Sequence, residues 1–306
     1  MKTTLRATAL TGTLAISLMG MGCATEKPAQ TPETSASKAE GTPGPAAAEK
    51  GLRLYVFECG DIEVSDDAIF HANLNTPGVK RHLIGSCYLI VHPKGTMAWD
   101  TGLPDELATK PEGIKAMKDL FTLRVKKTVA SQYQAIGVAP DSVKFLGISH
   151  MHQDHRGNVG LFPHSTLLVQ KEEYESVLGP DSLKFGNDPA AYPTLKANPV
   201  KKLEGDFDVF GDGSVVIKRA LGHTPGHQAL FLKLPKTGNI LLSGDLVHFT
   251  DNWKARGVPA WNFDKERTIK TMQETDQFLQ ANHATLWIQH DYEQSATLRH
   301  APGFYE

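Results

Sequence analysis

Residues 149–155 read Ser-His-Met-His-Gln-Asp-His and follow an apolar, strand-like run, Val143–Ile148. Four side chains of this stretch carry metal-binding atoms: His150, His152, Asp154 and His155. Ligands converge where strands end, and an exposed polar loop, the alternative interpretation, needs no such spacing. The stretch therefore predicts a metal site at the end of a strand.

Three further candidate ligands lie downstream, each beside a strand-like run: His227, Asp245 and His290. Histidine and carboxylate ligands suit Zn, Fe, Co or Mn better than a metal that selects thiolates. Seven ligands are too many for one tetrahedral zinc ion. The sequence thus predicts two divalent ions, with zinc as the expected metal, that share a carboxylate and a solvent oxygen. Three histidines would serve the first ion, and two histidines and an aspartate the second.

The composition supports a folded protein and excludes several other classes. The chain has 306 residues, of which 40% are hydrophobic and 22% charged, with a formal net charge of -2. A charge so close to zero disfavours nucleic-acid binding. No Cys-x-x-Cys pair or glycine-rich nucleotide motif occurs, whereas 13 histidines do. Histidine is thus the residue type to follow.

The N-terminus has the pattern of an export signal. Lys2 and Arg6 precede a short apolar run, Ala7–Gly22, and Cys23 follows small residues. The sequence Gly-Met-Gly-Cys resembles the lipobox of bacterial lipoproteins, which implies a lipid on Cys23; an ordinary cleaved signal is the alternative. We expect an exported, periplasmic protein whose only membrane contact is this lipid anchor.

Three segments follow from this pattern. Residues 1–22 are the predicted secretion or lipoprotein signal, and residues 23–50 have the composition of a disordered tether. Residues 51–306 are the predicted folded domain.

Strand-like and helix-like segments alternate in the folded domain, which predicts an α/β layered fold. Helices are predicted over 114–136 and 265–279, where apolar residues recur with a helical period. The predicted strands are Leu52–Phe57, Ser86–His92, Thr96–Trp99, Val143–Ile148, Thr166–Gln170, Val215–Lys218, Ala229–Leu234, Asn239–Leu242 and Thr285–Ile288.

These motifs together resemble the metallo-β-lactamase superfamily over nearly all of Leu52–Glu306. The string at 150–155, the segment Thr-Pro-Gly-His ending at His227, Gly244-Asp245 and the late His290 carry the resemblance. It implies a four-layer αβ/βα sandwich with the metals at one edge of its two sheets. It assigns ligands to the first metal, to the second metal and to the bridge between them: His150, His152 and His227; Asp154, His155 and His290; and Asp245.

Smaller features look like the N-acyl homoserine lactonase branch of that superfamily. They are residues 54–60, residues 223–228 and the segment from His290 to Gln294, while Asp245 argues against the true β-lactamases, which lack this ligand. The resemblance implies a metal-dependent hydrolase that opens an acyl lactone ring by attack of a metal-bridging hydroxide, as in quorum quenching. Asp154 would pass a proton to the leaving oxygen.

His248 departs from the pattern of that branch. Several of its lactonases have, three residues after the bridging aspartate, a tyrosine that hydrogen-bonds the substrate carbonyl. Imidazole can donate the same bond, so His248 is a candidate catalytic residue whose charge would make activity depend on pH. Simple packing is the alternative role.

Other functions on the same metal site stay open. A general lactonase, an arylesterase or a phosphotriesterase would use the same chemistry, and an exported metal-binding or sensing protein is a further alternative. Asp245 argues against a metal-binding or sensing protein, because a site that only stores metal gains little from a carboxylate that bridges two ions. Some of seven apolar residues are expected to form an acyl groove: Ile69, Phe70, Leu74, Phe249, Trp253, Trp261 and Phe263.

Residues near the ligands receive supporting roles. His223 is predicted to be hydrogen-bonded in its turn rather than to bind metal, and Asp100 and Asp291 could orient ligand histidines. Cys59 and Cys87 either pair in an oxidising compartment or remain buried thiols.

Overall fold

A computed structural model describes most of the chain: residues 51–185, 187, 189–191 and 193–306. The predicted signal, residues 1–22, and the predicted tether, residues 23–50, lie outside the described residues, as does Cys23. Among the helices that are described, none is long and apolar enough to cross a membrane.

The described residues form two sheets. The first has eight strands in the order β4-β5-β1-β2-β3-β6-β7-β8. Its strands are β1 Arg53–Val64, β2 Arg81–His92, β3 Gly95–Trp99, β4 Ile114–Ala116, β5 Phe121–Arg124, β6 Phe145–Gly147, β7 Thr166–Gln170 and β8 Val200–Leu203.

The second sheet has five strands in the order β13-β12-β11-β10-β9. They are β9 Phe207–Asp208, β10 Val215–Arg219, β11 Gln228–Leu234, β12 Gly238–Leu242 and β13 Ala284–Trp287. All nine predicted strands are confirmed. The α-helices are α1 Val129–Ala135, α2 Gln153–Arg156, α3 Lys171–Leu178, α4 Pro193–Ala197, α5 Thr250–Ala255, α6 Lys265–Ala281 and α7 Tyr292–Ala296.

Both sheets are buried on both faces, because apolar side chains alternate between two cores. In β11, Leu230 and Leu232 pack with the first sheet, whereas Phe231 points the other way and meets Phe278 of α6. In β7, Leu168 joins the core between the sheets, and its neighbours pack with residues of α1 and α3. Helix, sheet, sheet and helix thus form the predicted four-layer sandwich.

One predicted helix is wrong over most of its length. Residues 114–124 form the antiparallel strands β4 and β5, and only Val129–Ala135 of the predicted segment is helical. The turn between the strands has three consecutive residues at positive φ, Met117, Lys118 and Asp119, a conformation that no α-helix contains. Pairing of β5 with β1 extends the first sheet and overrides the local helical period. The second predicted helix is confirmed as α6.

A disulfide joins β1 to β2 through Cys59 and Cys87, whose Cα atoms are 5.8 Å apart. The two cysteines are 28 residues apart, for which chain entropy predicts a stabilisation of about 3.5 kcal/mol. We expect the double variant Cys59→Ala, Cys87→Ala to unfold about 10 °C lower than the wild type in calorimetry. Dithiothreitol should lower the wild-type midpoint to a similar extent and leave the variant unchanged; a wild-type midpoint insensitive to reductant would contradict the bond.

Candidate metal centre

Two parallel strands of the first sheet bring the 149–155 stretch to a sheet edge. β3 and β6 are parallel neighbours, so their carboxyl ends meet at that edge. Asp100, which follows β3, accepts the backbone N–H of Ser149, which follows β6, at 2.6 Å. This bond fixes the start of the ligand-bearing loop, which then runs into the short helix α2.

The second sheet delivers its ligands to the same edge in the same way. β12 and β13 are parallel, and Asp245 and His290 follow their carboxyl ends. β11 is antiparallel to β12, so the loop 220–227 that leads into β11 arrives there too. Gly244 is held at φ 52°, and a Cβ atom on it would lie 2.6 Å from the His227 ring, which requires glycine.

Metal-binding atoms gather into two groups whose members lie within 4.8 Å of one another: His150, His152, His223 and Asp245; and Asp154, His155 and His290. In the first group, His152 Nδ1 lies 2.8 Å from His150 Nε2 and 3.2 Å from His223 Nε2. In the second group, the Nε2 atoms of His155 and His290 are 3.1 Å apart.

The Asp245 carboxylate lies between the two groups. Its Oδ1 atom is 3.1 Å from His155 Nε2 and 3.0 Å from His290 Nε2. Its Oδ2 atom is 3.4 Å from His223 Nε2. The side chain is buried, and Oδ1 accepts no hydrogen bond. One oxygen faces each group, as a bridging ligand requires.

Three ligand rings are held from outside by hydrogen-bond acceptors. Because Nδ1–H of each ring points outward, the neutral form of the ring presents an Nε2 lone pair to the cluster. Buried lone pairs that face one another and a carboxylate need a cation, so these residues fit a pair of metal ions. The outward bonds are His155 Nδ1 to Asp100 Oδ2 at 2.9 Å, His290 Nδ1 to Ile84 O at 2.8 Å and His223 Nδ1 to Asn262 Oδ1 at 2.7 Å.

Electrostatics in the cluster favour a negative centre that attracts cations. Burial disfavours charge on His155, but the carboxylates of Asp245, Asp154 and Asp100 outweigh it and raise the pKa of His155 well above its usual value. Burial also opposes charge on Asp245, yet the surrounding histidines, His155 first, hold the pKa of that carboxyl well below its usual range. Asp245 is therefore ionised at neutral pH.

The comparisons with known proteins agree with this centre. The model of the metallo-β-lactamase superfamily matches residues 81–290, which include every residue of both groups. The chain belongs to the metallo-β-lactamase superfamily.

Within that superfamily the chain is homologous to N-acyl homoserine lactonases. It is 30% identical over 262 residues to the lactonase AttM of Rhizobium radiobacter, with 83% of this chain and 98% of the relative covered. It is 28% identical over 267 residues to AttM of Azorhizobium caulinodans, covering 83% and 99%. A solved N-acyl homoserine lactone hydrolase, with N-hexanoyl-L-homoserine at its catalytic metal centre, superposes with a TM-score of 0.71 at 25% identity, covering 83% and 99%.

The assignment of His227 to the first metal does not fit the geometry of this metallo-β-lactamase fold. Its Nδ1 donates to the carbonyl of Ala220 at 2.9 Å, and its Nε2 accepts the backbone N–H of Asp245 at 2.8 Å. Both ring nitrogens are thus used by the backbone, and burial lowers the pKa of His227 to about 4. His223, predicted to play only a supporting role, lies in the place expected for His227. The other six predicted ligands lie in the two groups.

Of the two acids predicted to orient ligand histidines, Asp100 and Asp291, only the first contacts a ligand ring among the described residues. Asp100 orients His155. Asp291 instead caps α7 by accepting the N–H of Gln294 at 2.9 Å and binds the backbone N–H of Thr250 at 2.8 Å.

An apolar cavity of about 410 Å³ opens onto the metallo-β-lactamase centre. Asp154, Asp245 and His290 lie at its metal end. Its apolar lining is formed by Ile62, Phe70, Leu83, Leu103, Ala116, Met117, Phe121, Leu123 and Trp261. A cavity of this size and lining suits a small molecule with a hydrophobic part.

Two of the seven predicted groove residues, Phe70 and Trp261, line this cavity. Phe249 packs behind Phe70, with ring centroids 5.9 Å apart, and Phe263 is exposed. The other predicted residues, Ile69, Leu74 and Trp253, are not part of the lining. Most of the wall comes from β1, β2 and the β4–β5 hairpin. The sequence did not single out these residues, because Ile62 and Leu83 lie outside the predicted strand bounds and the hairpin was predicted as a helix.

His248 lies at the boundary between the cavity and the ligands. Its side chain is buried, its Nε2 is 3.1 Å from Asp245 Oδ2, and its ring contacts that of Phe70 in a tilted arrangement, with ring centroids 4.7 Å apart. Burial lowers the pKa of His248 despite the nearby carboxylate of Asp245, so the ring is neutral at pH 7. His248 therefore contacts both the Asp245 carboxylate and the space that a substrate would fill.

Proposed function

We propose that this protein hydrolyses N-acyl homoserine lactones by opening the lactone ring. The observation that carries the proposal is the apolar cavity that ends at Asp154, Asp245 and His290. When the polar lactone ring of the substrate lies among these residues, its acyl chain contacts Phe70, Leu103 and the other apolar side chains of the cavity wall. The homologous lactonases, aligned over almost their full length, support the same substrate class.

The two groups would each hold one divalent ion, and we propose zinc, the ion that imidazole and carboxylate ligands suit. His150, His152 and His223 would hold the first ion, Asp154, His155 and His290 the second, and Asp245 both. When bound, such ions lower the pKa of water to about 7 and polarise a carbonyl group.

Ring opening adds the oxygen of water to the carbonyl carbon and breaks the bond from that carbon to the ring oxygen, which leaves with a proton. Asp154 is placed to move this proton. It lines the cavity, keeps 28% of its side chain exposed, and has Oδ2 3.6 Å from His290 Nε2. Its carboxylate can accept a proton from the attacking water and return it to the departing oxygen.

His248 lies beside Asp245 and lines the cavity. We propose that it donates a hydrogen bond near the reacting carbonyl. Replacement by phenylalanine keeps the ring but removes both nitrogens. We expect His248→Phe to lower kcat/KM by about 10- to 100-fold, the range for a lost hydrogen bond near developing charge. Metal content, measured by plasma emission spectroscopy, should stay at the wild-type value.

The exposed His164 provides the matched control, since His164→Phe makes the same change far from the centre. Its kcat/KM should be unchanged. Equal kinetics for His248→Phe and the wild type would show that His248 only packs against Phe70.

A substrate panel tests the proposed function. The zinc-loaded protein is titrated in a pH-stat with N-hexanoyl- and N-decanoyl-homoserine lactone, γ-butyrolactone, an aryl ester, paraoxon and a cephalosporin. Burial of three methylenes of the hexanoyl chain, at about 0.8 kcal/mol each, would raise kcat/KM by roughly 50-fold. We therefore expect kcat/KM for the hexanoyl lactone to exceed that for γ-butyrolactone, which has no acyl chain, by at least this factor. Faster turnover of paraoxon, or hydrolysis of the cephalosporin alone, would reject the lactonase assignment.

We further propose that the protein is exported to the periplasm and anchored by a lipid on Cys23. The apolar run before Cys23 and the Cys59–Cys87 disulfide support export, because such bonds persist in oxidising compartments. Expression of the full chain in a Gram-negative host should place it in the membrane fraction, and Cys23→Ser should abolish labelling by radioactive palmitate. Recovery of the full chain from the cytoplasm would reject export.

A further inference from the structure

Glu173 is a buried acid next to the metal centre but outside both ligand groups. It lies in the first turn of α3, and only 1% of its surface is exposed. Its Oε1 accepts the backbone N–H of Met151 at 2.8 Å, and its Oε2 accepts the backbone N–H of Gly226 at 2.9 Å. One carboxylate thus joins two loops that are 75 residues apart in sequence.

Both bonds end beside ligands of the first group. Met151 stands between His150 and His152, and Gly226 belongs to the turn that begins at His223. The turn is pressed against α3, since a Cβ atom on Gly226 would lie 2.3 Å from the Glu173 nitrogen. All three histidines of the first group therefore lie on loops that Glu173 holds.

The second group is held by different partners. Asp100 accepts from His155 Nδ1 at 2.9 Å, and the carbonyl of Ile84 accepts from His290 Nδ1 at 2.8 Å. Among the described residues, Glu173 makes no hydrogen bond to Asp154, His155 or His290, although Asp154 and His155 follow Met151 in the same loop. The second-group rings of His155 and His290 are thus fixed by Asp100 and Ile84, whereas Glu173 binds the backbone of both loops that carry the first group.

We propose that Glu173 is a positioning residue that sets the affinity of the first metal site without setting that of the second. The inference rests on the dimetal centre of the proposed function, though not on its substrate. A carboxylate serves this role because both of its oxygens accept N–H groups, and charged acceptors make the stronger hydrogen bonds. Glutamine has the same shape but one acceptor, so its amide N–H would face a backbone N–H.

Stepwise binding of Co²⁺ to the metal-free protein tests the proposal, with a chromophoric chelator as competitor and the visible cobalt spectrum as a second readout. His223→Ala and His290→Ala first identify which binding step belongs to which site. The binding step that His223→Ala removes is called the His223 step, and the one that His290→Ala removes the His290 step. Glu173→Gln should weaken metal binding in the His223 step by about 10- to 100-fold, the usual cost of losing a residue that positions a metal ligand. The His290 step should change by less than about twofold.

Two variants complete the comparison. Glu175→Gln changes the same charge on the same helix, where the side chain pairs with Lys202 at 2.6 Å, and should leave both steps unchanged. Asp100→Asn disturbs both His155 and the Ser149 N–H at the start of the loop, and should weaken both steps. An equal loss at both steps in Glu173→Gln, or no loss at the His223 step, would overturn the proposal.

Folding is followed by circular dichroism in the metal-free and the cobalt-loaded state. Gly226→Ala disturbs the same junction from the loop side and should reproduce the loss at one step. If both variants fail to fold even with cobalt, Glu173 supports the whole domain and the proposal is wrong. Intact two-step binding without lactone hydrolysis would reject the proposed substrate alone, so the two failures are distinguishable.

Discussion

Asp245→Asn is expected to lower kcat/KM for N-hexanoyl-homoserine lactone by about 10²- to 10³-fold. The carboxylate has one oxygen 3.0 Å from His290 and the other 3.4 Å from His223, so it serves both metal groups. Asparagine keeps the volume but loses the charge and one of the two acceptor oxygens. The carboxylate would help to hold the ions that polarise the carbonyl, and loss of such assistance costs several kcal/mol, which corresponds to this range.

Metal analysis of the same variant separates binding from chemistry. We expect bound metal to fall from two ions per chain to one or fewer, because a neutral amide cannot bridge two cations. Asp212→Asn, a change in a surface acid paired with His92 at 2.9 Å, should keep both metals and wild-type kinetics. Full metal content and full activity in Asp245→Asn would contradict the bridge.

His223→Ala is expected to remove one bound metal ion and to lower lactone hydrolysis by at least about 100-fold, because His223 Nε2 faces His152 and Asp245. His227→Ala should keep two metal ions. It should instead lower the free energy of unfolding by about 2 kcal/mol or more, since the Asp245 N–H and the Ala220 carbonyl lose their buried partners.

Plasma emission spectroscopy and thermal unfolding of these two variants provide the measurement. Loss of metal in His227→Ala together with full metal content in His223→Ala would reverse the assignment made from the geometry. The comparison is informative because both histidines are buried and lie four residues apart in one loop.

The sequence pattern predicted most of the centre but could not choose between these two histidines. The segment from His223 to His227 offers two rings in one turn, and spacing does not tell which ring the backbone will occupy. That choice depends on Ala220, which meets His227 when β10 and β11 pair, and on the Asp245 N–H, which meets it when β11 and β12 pair. The string at 150–155 needed no such contact, since its ligands share one strand end.

Other differences also arise from tertiary contacts. Apolar residues in 114–125 recur with a helical period, yet pairing with β1 makes them strands. Glu173 has no sequence signal of its own, because an acid in the first turn of a helix is already favoured by the helix dipole. Its role becomes visible only where α3 meets Met151 and Gly226.

The most direct test of a dimetal lactonase is titration of the metal-free protein with Zn²⁺ while hydrolysis of N-hexanoyl-homoserine lactone is followed in a pH-stat. We predict little hydrolysis without metal, a rise that reaches its maximum at two equivalents, and reversal by a chelator. A rate that is already maximal at one equivalent, or hydrolysis that never appears although two zinc ions are bound, would contradict the account.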